Sequence, residues 1–249
     1  MDRGTIVVTG GSRGIGAAAA RRLARDGYAV HLTYRTRAAT ADEVVRTIRG
    51  AGGRARATRV DLGIPADIDA LFAAVDADRV PLVGLVNNAG MLETQCRVEH
   101  LDADRLQRMM AADVIGPMLC AAAAVRRMSH RHGGAGGAIV NVSSVAARLG
   151  APGEYVDYAA AKGALDAFTR GLAAEVAGEG IRVNAVRPGY IHTDIHALGG
   201  DPDRVDRLAP GLPMGRGGRP DEVAEAIAWL ISDAASYATG SFLDLAGGR

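Results

Sequence analysis

Residues 5–27 read TIVVTGGSRGIGAAAARRLARDG, and the fold follows from the order of their parts. TIVV is a short β-branched run suited to a strand. GGSRGIG follows at once, and then an alanine-rich run with helical spacing that stops at Gly27. Strand, glycine loop and helix in that order open a βαβ unit. Gly10, Gly14 and Gly16 free the backbone to turn tightly and to approach a pyrophosphate, whose charge the N-terminus of the following helix meets. The spacing departs from G-x-G-x-x-G, so the loop by itself reads equally well as a plain turn.

The rest of the chain repeats the alternation. YAVHLTY predicts a second strand over 28–34, and Arg35 and Arg37 follow it with no acidic residue before Asp42. An acid at that place would bond the ribose 2′-hydroxyl of NAD, whereas arginine suits the 2′-phosphate of NADP. Arg13, inside the glycine loop, offers a second charge to the same phosphate. A polar helix is expected over 41–50, a strand ending at Asp61, the helix DIDALFAAVDA, and the strand PLVGLVNNAG. Asn87, Asn88, Ala89 and Gly90 stand where that strand would open over a cofactor. A long helical segment over 101–130 is interrupted near Gly116 and Pro117, and the loop HRHGGAGG leads to the strand AIVNV. A helix over about 155–178, the strand IRVNAVRPG, an irregular Gly- and Pro-rich segment over 190–218, the helix DEVAEAIAWLIS and the strand SFLDLAG complete the chain. No repeat or linker divides it. One doubly wound α/β domain of Rossmann type over 1–249 is predicted, with a mainly parallel seven-stranded sheet. Its crevice should lie at the carboxyl ends of the strands, where the glycine loop, Asn87, Ser144 and Pro188 fall.

The chemistry points to SSVAARLGAPGEYVDYAAAK, residues 143–162. Lys162 is the only lysine among 29 basic residues. A chain that uses arginine wherever a charge suffices, yet keeps one lysine, needs a compact, rotatable ammonium there. Tyr158 lies four residues earlier and shares a helix face with it. The ammonium favours the phenolate, so the tyrosine pKa is expected to fall toward neutrality, as a general acid/base requires. Ser143 and Ser144 close the preceding strand and can bring a hydroxyl to the pair. Tyr155 shares a similar face at the poorer spacing of seven residues.

Composition excludes several classes. With 249 residues, 48% hydrophobic, 23% charged and a net charge of +1, the chain reads as a soluble globular protein with no bias toward nucleic acid or anionic membrane. The longest apolar stretch, near 118–125, reads as too short to span a bilayer, and the N-terminus leaves no room for a secretory leader. Cys96 and Cys120 fit neither a zinc spacing nor a disulfide framework and suit a reducing cytoplasm. His192 and His196 are four apart, but no third ligand accompanies them, so no metal is expected.

With these residues in place, the chain resembles the short-chain dehydrogenase/reductase family over essentially its whole length. TGGSRGIG is similar to the family's TGxxxGxG loop, NNAG to its post-strand motif, Ser144 with Tyr158-x-x-x-Lys162 to its catalytic set, and Pro188-Gly189 through Thr193 to its PGxxxT segment. The look, with SFLDLAGG near the end, is similar to 3-oxoacyl-carrier-protein reductases and related carbonyl reductases. The resemblance implies that Tyr158 exchanges a proton with the substrate oxygen, that Lys162 holds the nicotinamide ribose, and that Ser144, or Ser143 in another register, bonds the carbonyl oxygen. It implies NADP(H) held by Gly10, Ser12, Arg13, Gly14, Ile15, Gly16, Arg35, Asp61, Leu62, Asn88, Ala89, Gly90, Tyr158, Lys162, Pro188, Gly189, Ile191 and Thr193. It also implies a homotetramer; the apolar runs AAAAV and AIAWLI suit partner surfaces or monomer core equally, and the irregular segment 190–218 reads as a substrate lid.

There is one departure. The family's central helix usually carries an asparagine that helps hold a proton-relay water near the lysine; counting back from Gly116 puts Asp113 there. Aspartate is nearly isosteric, so little is lost if a backbone carbonyl holds the water; if the amide is needed as donor, the relay is weakened and the carboxylate competes with Tyr158 for the lysine charge. Two other readings share the fold: an NAD-dependent sugar or polyol dehydrogenase, and a nucleotide-binding member whose chemistry has decayed.

Overall fold

The computed structural model describes residues 3–249; Met1 and Asp2, where the expected domain range begins, lie outside them. Seven strands form one fully parallel sheet in the order 3-2-1-4-5-6-7. They are β1 (Thr5–Val8), β2 (Ala29–Tyr34), β3 (Arg54–Arg59), β4 (Leu82–Asn87), β5 (Gly137–Val142), β6 (Ile181–Pro188) and β7 (Phe242–Leu245). Between them run α1 (Gly14–Arg25), α2 (Ala38–Gly50), α3 (Pro65–Ala77), α4 (Ala103–Met110), α5 (Gly116–Met128), the short α6 (Ala146–Leu149) and α7 (Val156–Val176). After β6 come α8 (Ile195–Leu198), α9 (Arg204–Leu208) and α10 (Pro220–Ile231).

The period of two along β1 decides which helices cover which face. Ile6 and Val8 pack with residues of α1, α2 and α10; Val7 faces the other way, with residues of α3, α5 and α7. All three are fully buried, each contributing on the order of 2 kcal/mol by loss of apolar surface. The four alanines of α1, Ala17 to Ala20, are buried and let that helix lie close to the sheet and to α10. Parallel strands send every crossover back to the same edge. The loops after β1 to β6 therefore gather at the carboxyl ends around one cavity of about 680 Å³.

The interruption expected near Gly116 and Pro117 takes a definite form. Residues 111–115 make one widened π-turn between α4 and α5, with the Gly116 N–H bonding back to the Ala111 carbonyl. Pro117 has no N–H to return to Asp113, so the ordinary α-helical bond is lost at that step. A Cβ on Gly116 would lie 2.6 Å from Leu62 Cβ, so the chain passes here only as glycine.

The helical run Ala103–Met128 is long enough and, over its most apolar 18 residues, apolar enough to cross a membrane by length and composition. Half of the apolar window is buried inside the fold. AAAAV lies mostly in the core of this run, and AIAWLI is core except for Trp229 and the partly buried Ala226.

Candidate active site

The glycine loop is fixed by its neighbours. The Gly11 N–H donates to the Thr33 carbonyl at 2.9 Å and the Gly10 N–H to Thr33 Oγ1 at 3.1 Å. Thr9 Oγ1 accepts from the N–H groups of Asn88 and Ala89, both at 3.0 Å. Asn88 Nδ2 donates back to the carbonyls of Thr9 and Gly10. A Cβ on Gly10, where φ is +63°, would lie 2.9 Å from Ala89 Cα. Gly10, Ser12, Arg13, Gly14 and Ile15 line the cavity, as do Arg35, Asp61, Leu62, Asn88, Ala89 and Gly90.

Two expectations are corrected. Gly16 does not line the cavity; it sits behind the loop, where a Cβ would come within 2.4 Å of Asn88 Nδ2 and the Gly10 carbonyl, so its task is packing. Asn87 also points away from the crevice, because side chains alternate along β4. It is buried, and its Nδ2 donates to the Pro117 carbonyl at 3.1 Å and to Asn141 Oδ1 at 3.0 Å, tying β4 and β5 to α5.

From the far side, α7 brings in the residues of the 143–162 stretch. Tyr158 and Lys162 meet as the four-residue spacing requires, the ammonium 5.3 Å from the phenol ring centre. Lys162 is 3% exposed, and its Nζ donates to the Val142 carbonyl at 3.1 Å. Ser144 lies beside the Tyr158 phenol and favours its ionised form, its Oγ accepting from the Ala146 N–H at 3.1 Å and donating to the Pro188 carbonyl at 3.5 Å, while Ser143 is buried and donates to the Lys162 carbonyl at 3.3 Å. The two serines therefore divide: Ser144 faces the tyrosine, and Ser143 braces α7. Tyr155 is the first residue before α7, with its hydroxyl donating to the Gly199 carbonyl at 3.2 Å, so it anchors the segment after β6.

Asp113 lies behind Lys162 at the π-turn, with no exposed surface and outside the cavity lining. Its Oδ1 accepts from the Met91 N–H at 2.7 Å, and its Oδ2 stands 3.5 Å from Lys162 Nζ with no hydrogen bond of its own. Burial pushes this carboxyl above its usual range, against the pull of Lys162. The expected fall of the Tyr158 pKa is not met. Burial raises the phenol above its ordinary value, and the Asp113 charge adds to that, outweighing Lys162 and Ser144. Burial also pulls Lys162 down, but Tyr158 and Asp113 outweigh it and hold the ammonium above its ordinary value. The competition for the lysine charge is thus built into the geometry.

Three observations fit a phosphorylated dinucleotide. The loop turns at glycines into the N-terminus of α1. Arg13 Nη1 is buried without a hydrogen-bond partner. Arg35 and Arg37 line the same end of the cavity. Asp194, which the sequence did not single out, lies between them, 3.5 Å from Arg13 and 3.6 Å from Arg37. Pro188, Gly189, Ile191 and Thr193 line the cavity too, and Thr193 rests against Gly14. His196 is buried, with Nε2 at 3.0 Å from the Ile191 carbonyl, and His192 faces Asp206; among the described residues no cluster is placed to hold a metal. At another part of the lining the sequence marked only the segment 190–218 and not its contacts. Tyr190, Arg204 and Arg249 come together there across a chain separation that carries no periodic signal.

A family model described as enoyl-(acyl carrier protein) reductase matches residues 10–249. The uncharacterized oxidoreductase YgfF of Escherichia coli (strain K12) is 56% identical over 243 residues, covering 98% of each chain. The chain belongs to the short-chain dehydrogenase/reductase family. Its relatives within this family of oxidoreductases include the cis-4-hydroxycyclohexanecarboxylate dehydrogenase of Sinomonas cyclohexanicum, 43% identical over 97% of this chain and 94% of that one. A short-chain dehydrogenase from Burkholderia cenocepacia J2315, solved in complex with NADP, superposes with a TM-score of 0.89 at 33% identity, over 98% of this chain and 96% of that one.

Proposed function

We propose that this short-chain dehydrogenase/reductase transfers hydride between NADP(H) and a ketone or secondary alcohol through Ser144, Tyr158 and Lys162. The observation that carries the reading is the meeting of the Tyr158–Lys162 pair and Ser144 in the same cavity as a glycine loop rimmed by Arg13, Arg35 and Arg37. The NADP complex of the Burkholderia structure supports the cofactor.

The bound nicotinamide would supply or take up the hydride. The protein's own groups handle the oxygen. Ser144 donates a hydrogen bond to the carbonyl oxygen, and Tyr158 delivers the proton as that oxygen gains charge. Lys162, locked by the Val142 carbonyl, keeps a positive charge beside the phenol and stabilises the phenolate left behind. Arg13, Arg35 and Arg37 would hold the 2′-phosphate. The segment 190–218, with α8 and α9, closes the cavity as a lid.

A fluorescence titration with NADPH and NADH, followed by a panel of carbonyl compounds with whichever binds, tests the proposal. NADPH binding with turnover of a ketone is expected. Binding without turnover on a broad panel would favour a decayed site, for which the Asp113–Lys162 contact is the supporting observation. A preference for NADH would overturn the roles of the arginines. We also propose a cytoplasmic homotetramer, supported by exposed apolar side chains on α4 and α5 and by Trp229 on α10; sedimentation as a monomer at micromolar concentration would refute the assembly.

A further inference from the structure

One part of the cavity wall is built from alternating aromatic rings and guanidinium groups. Arg204 stacks over the Tyr155 ring at 5.2 Å and the Tyr190 ring at 5.4 Å, and Arg249 stacks on Tyr190 at 5.1 Å. The two arginines differ in charge balance. Arg204 is nearly buried and forks onto Glu154, with Nη1 at 3.0 Å from Oε1, so its charge is neutralised within the wall. Arg249 is exposed at the cavity edge, and among the described residues no carboxylate side chain forms an ion pair with it.

Its one side-chain hydrogen bond runs from Nη1 to Tyr190 Oη, at 2.8 Å. In that bond the tyrosine oxygen accepts, which leaves the Tyr190 O–H free to donate elsewhere. Two donors, one of them cationic, therefore sit side by side on the wall of a chamber whose lining also includes Leu92, Leu149, Leu198 and Leu208. A guanidinium beside a hydroxyl donor matches the two oxygens of a carboxylate, and such charge-assisted bonds are about twice as strong as neutral ones.

Resting on the proposed hydride-transfer reading, we infer that the substrate is a keto acid or hydroxy acid. Its reacting carbon would sit at Tyr158, an apolar body would lie over the leucines, and a carboxylate would be read by Arg249 and Tyr190. Arg204 contributes rigidity, holding both rings in place.

The test is calorimetry on the NADPH-saturated protein, with cyclohexanecarboxylate as the anionic probe and cyclohexanecarboxamide as its neutral twin. The native chain should bind the carboxylate about tenfold more tightly than the amide. Arg249→Gln should remove that preference, Arg249→Lys should restore part of it, and Tyr190→Phe should weaken the carboxylate about fivefold with little effect on the amide. Equal affinity for the two probes, no detectable carboxylate binding, or an equal loss of both in Arg249→Gln would overturn the inference. Because Arg249 is exposed, its replacement leaves the fold intact. Reduction of 4-oxocyclohexanecarboxylate is followed separately: carboxylate-selective binding without turnover counts against the hydride-transfer reading and leaves the anion site standing.

Discussion

Replacing Asp113 with asparagine removes a buried negative charge without changing the shape of the side chain. Asp113 Oδ2 is 3.5 Å from Lys162 Nζ, which is 5.3 Å from the centre of the Tyr158 ring. The carboxylate is therefore at most about 9 Å from the phenol ring centre, and at an effective dielectric of about 20 two unit charges at that distance repel by roughly 2 kcal/mol. Removing the repulsion favours the phenolate, and the ammonium is no longer shared. Alcohol oxidation needs the phenolate, so its pH–rate profile should move its rising limb to lower pH. At neutral pH the rate of oxidation should rise about tenfold or more. The assay is kcat/KM for a secondary alcohol across the neutral and alkaline range, with NADPH affinity measured alongside. An unmoved limb, or a shift to higher pH, would refute the argument that Asp113 opposes ionisation of Tyr158.

Tyr158→Phe should abolish turnover and leave NADPH binding within about twofold, since it removes only the proton carrier; residual turnover at the native rate would remove the tyrosine from the acid/base role. Asp194→Asn frees Arg13 and Arg37 from an exposed neighbour, and NADPH should bind about two- to fivefold more tightly with NADH unchanged. An equal gain for both cofactors would show that Asp194 does not act on the 2′-phosphate site. Asp157→Asn leaves the Arg105 guanidinium without the carboxylate that meets its Nε at 2.6 Å in the interior, costing roughly 3 kcal/mol in urea unfolding; a loss under about 1 kcal/mol would mean that water reaches the site. His31, buried in β2, is held neutral, with its pKa pushed down to about 4 by burial and by Arg56. Between that value and the unfolded 6.5 the unfolded chain binds the extra proton, so stability is lost as pH falls through this window, by roughly 3 kcal/mol. His31→Gln should flatten that loss in an acid titration, and an unaltered slope would place the effect elsewhere.

What the sequence disclosed was whatever depends on short-range spacing. The Tyr158–Lys162 pair is a helix period, and the strand–loop–helix order of residues 5–27 sets the direction of the whole sheet. Asp113 was found by its offset from Gly116, and the contact it makes with Lys162 is the one expected. The sign of the Tyr158 pKa was missed because desolvation depends on everything packed around the ring, which no local pattern records. Gly16 and Asn87 were placed in the crevice because motifs give positions along a chain and not the side of the backbone on which a group lies. Tyr190 and Arg249 are separated by most of the C-terminal quarter of the chain, and only the closing of β7 against β6 brings them together.

The π-turn at 111–115 serves two faces at once. Leu106, Met110, Ile115 and Leu119 all keep exposed apolar side chains, and they step by four, five and four residues along the helix. The five-residue step falls on the turn that points Asp113 inward. One additional residue in this coil thus sets both the inner carboxyl and the outer apolar ribbon. Deleting a single alanine there would turn one of them out of place. Variation in the buried charge and variation in the outward ribbon are consequently linked, so an engineer who changes the helix length must redesign the chemistry and the surface together.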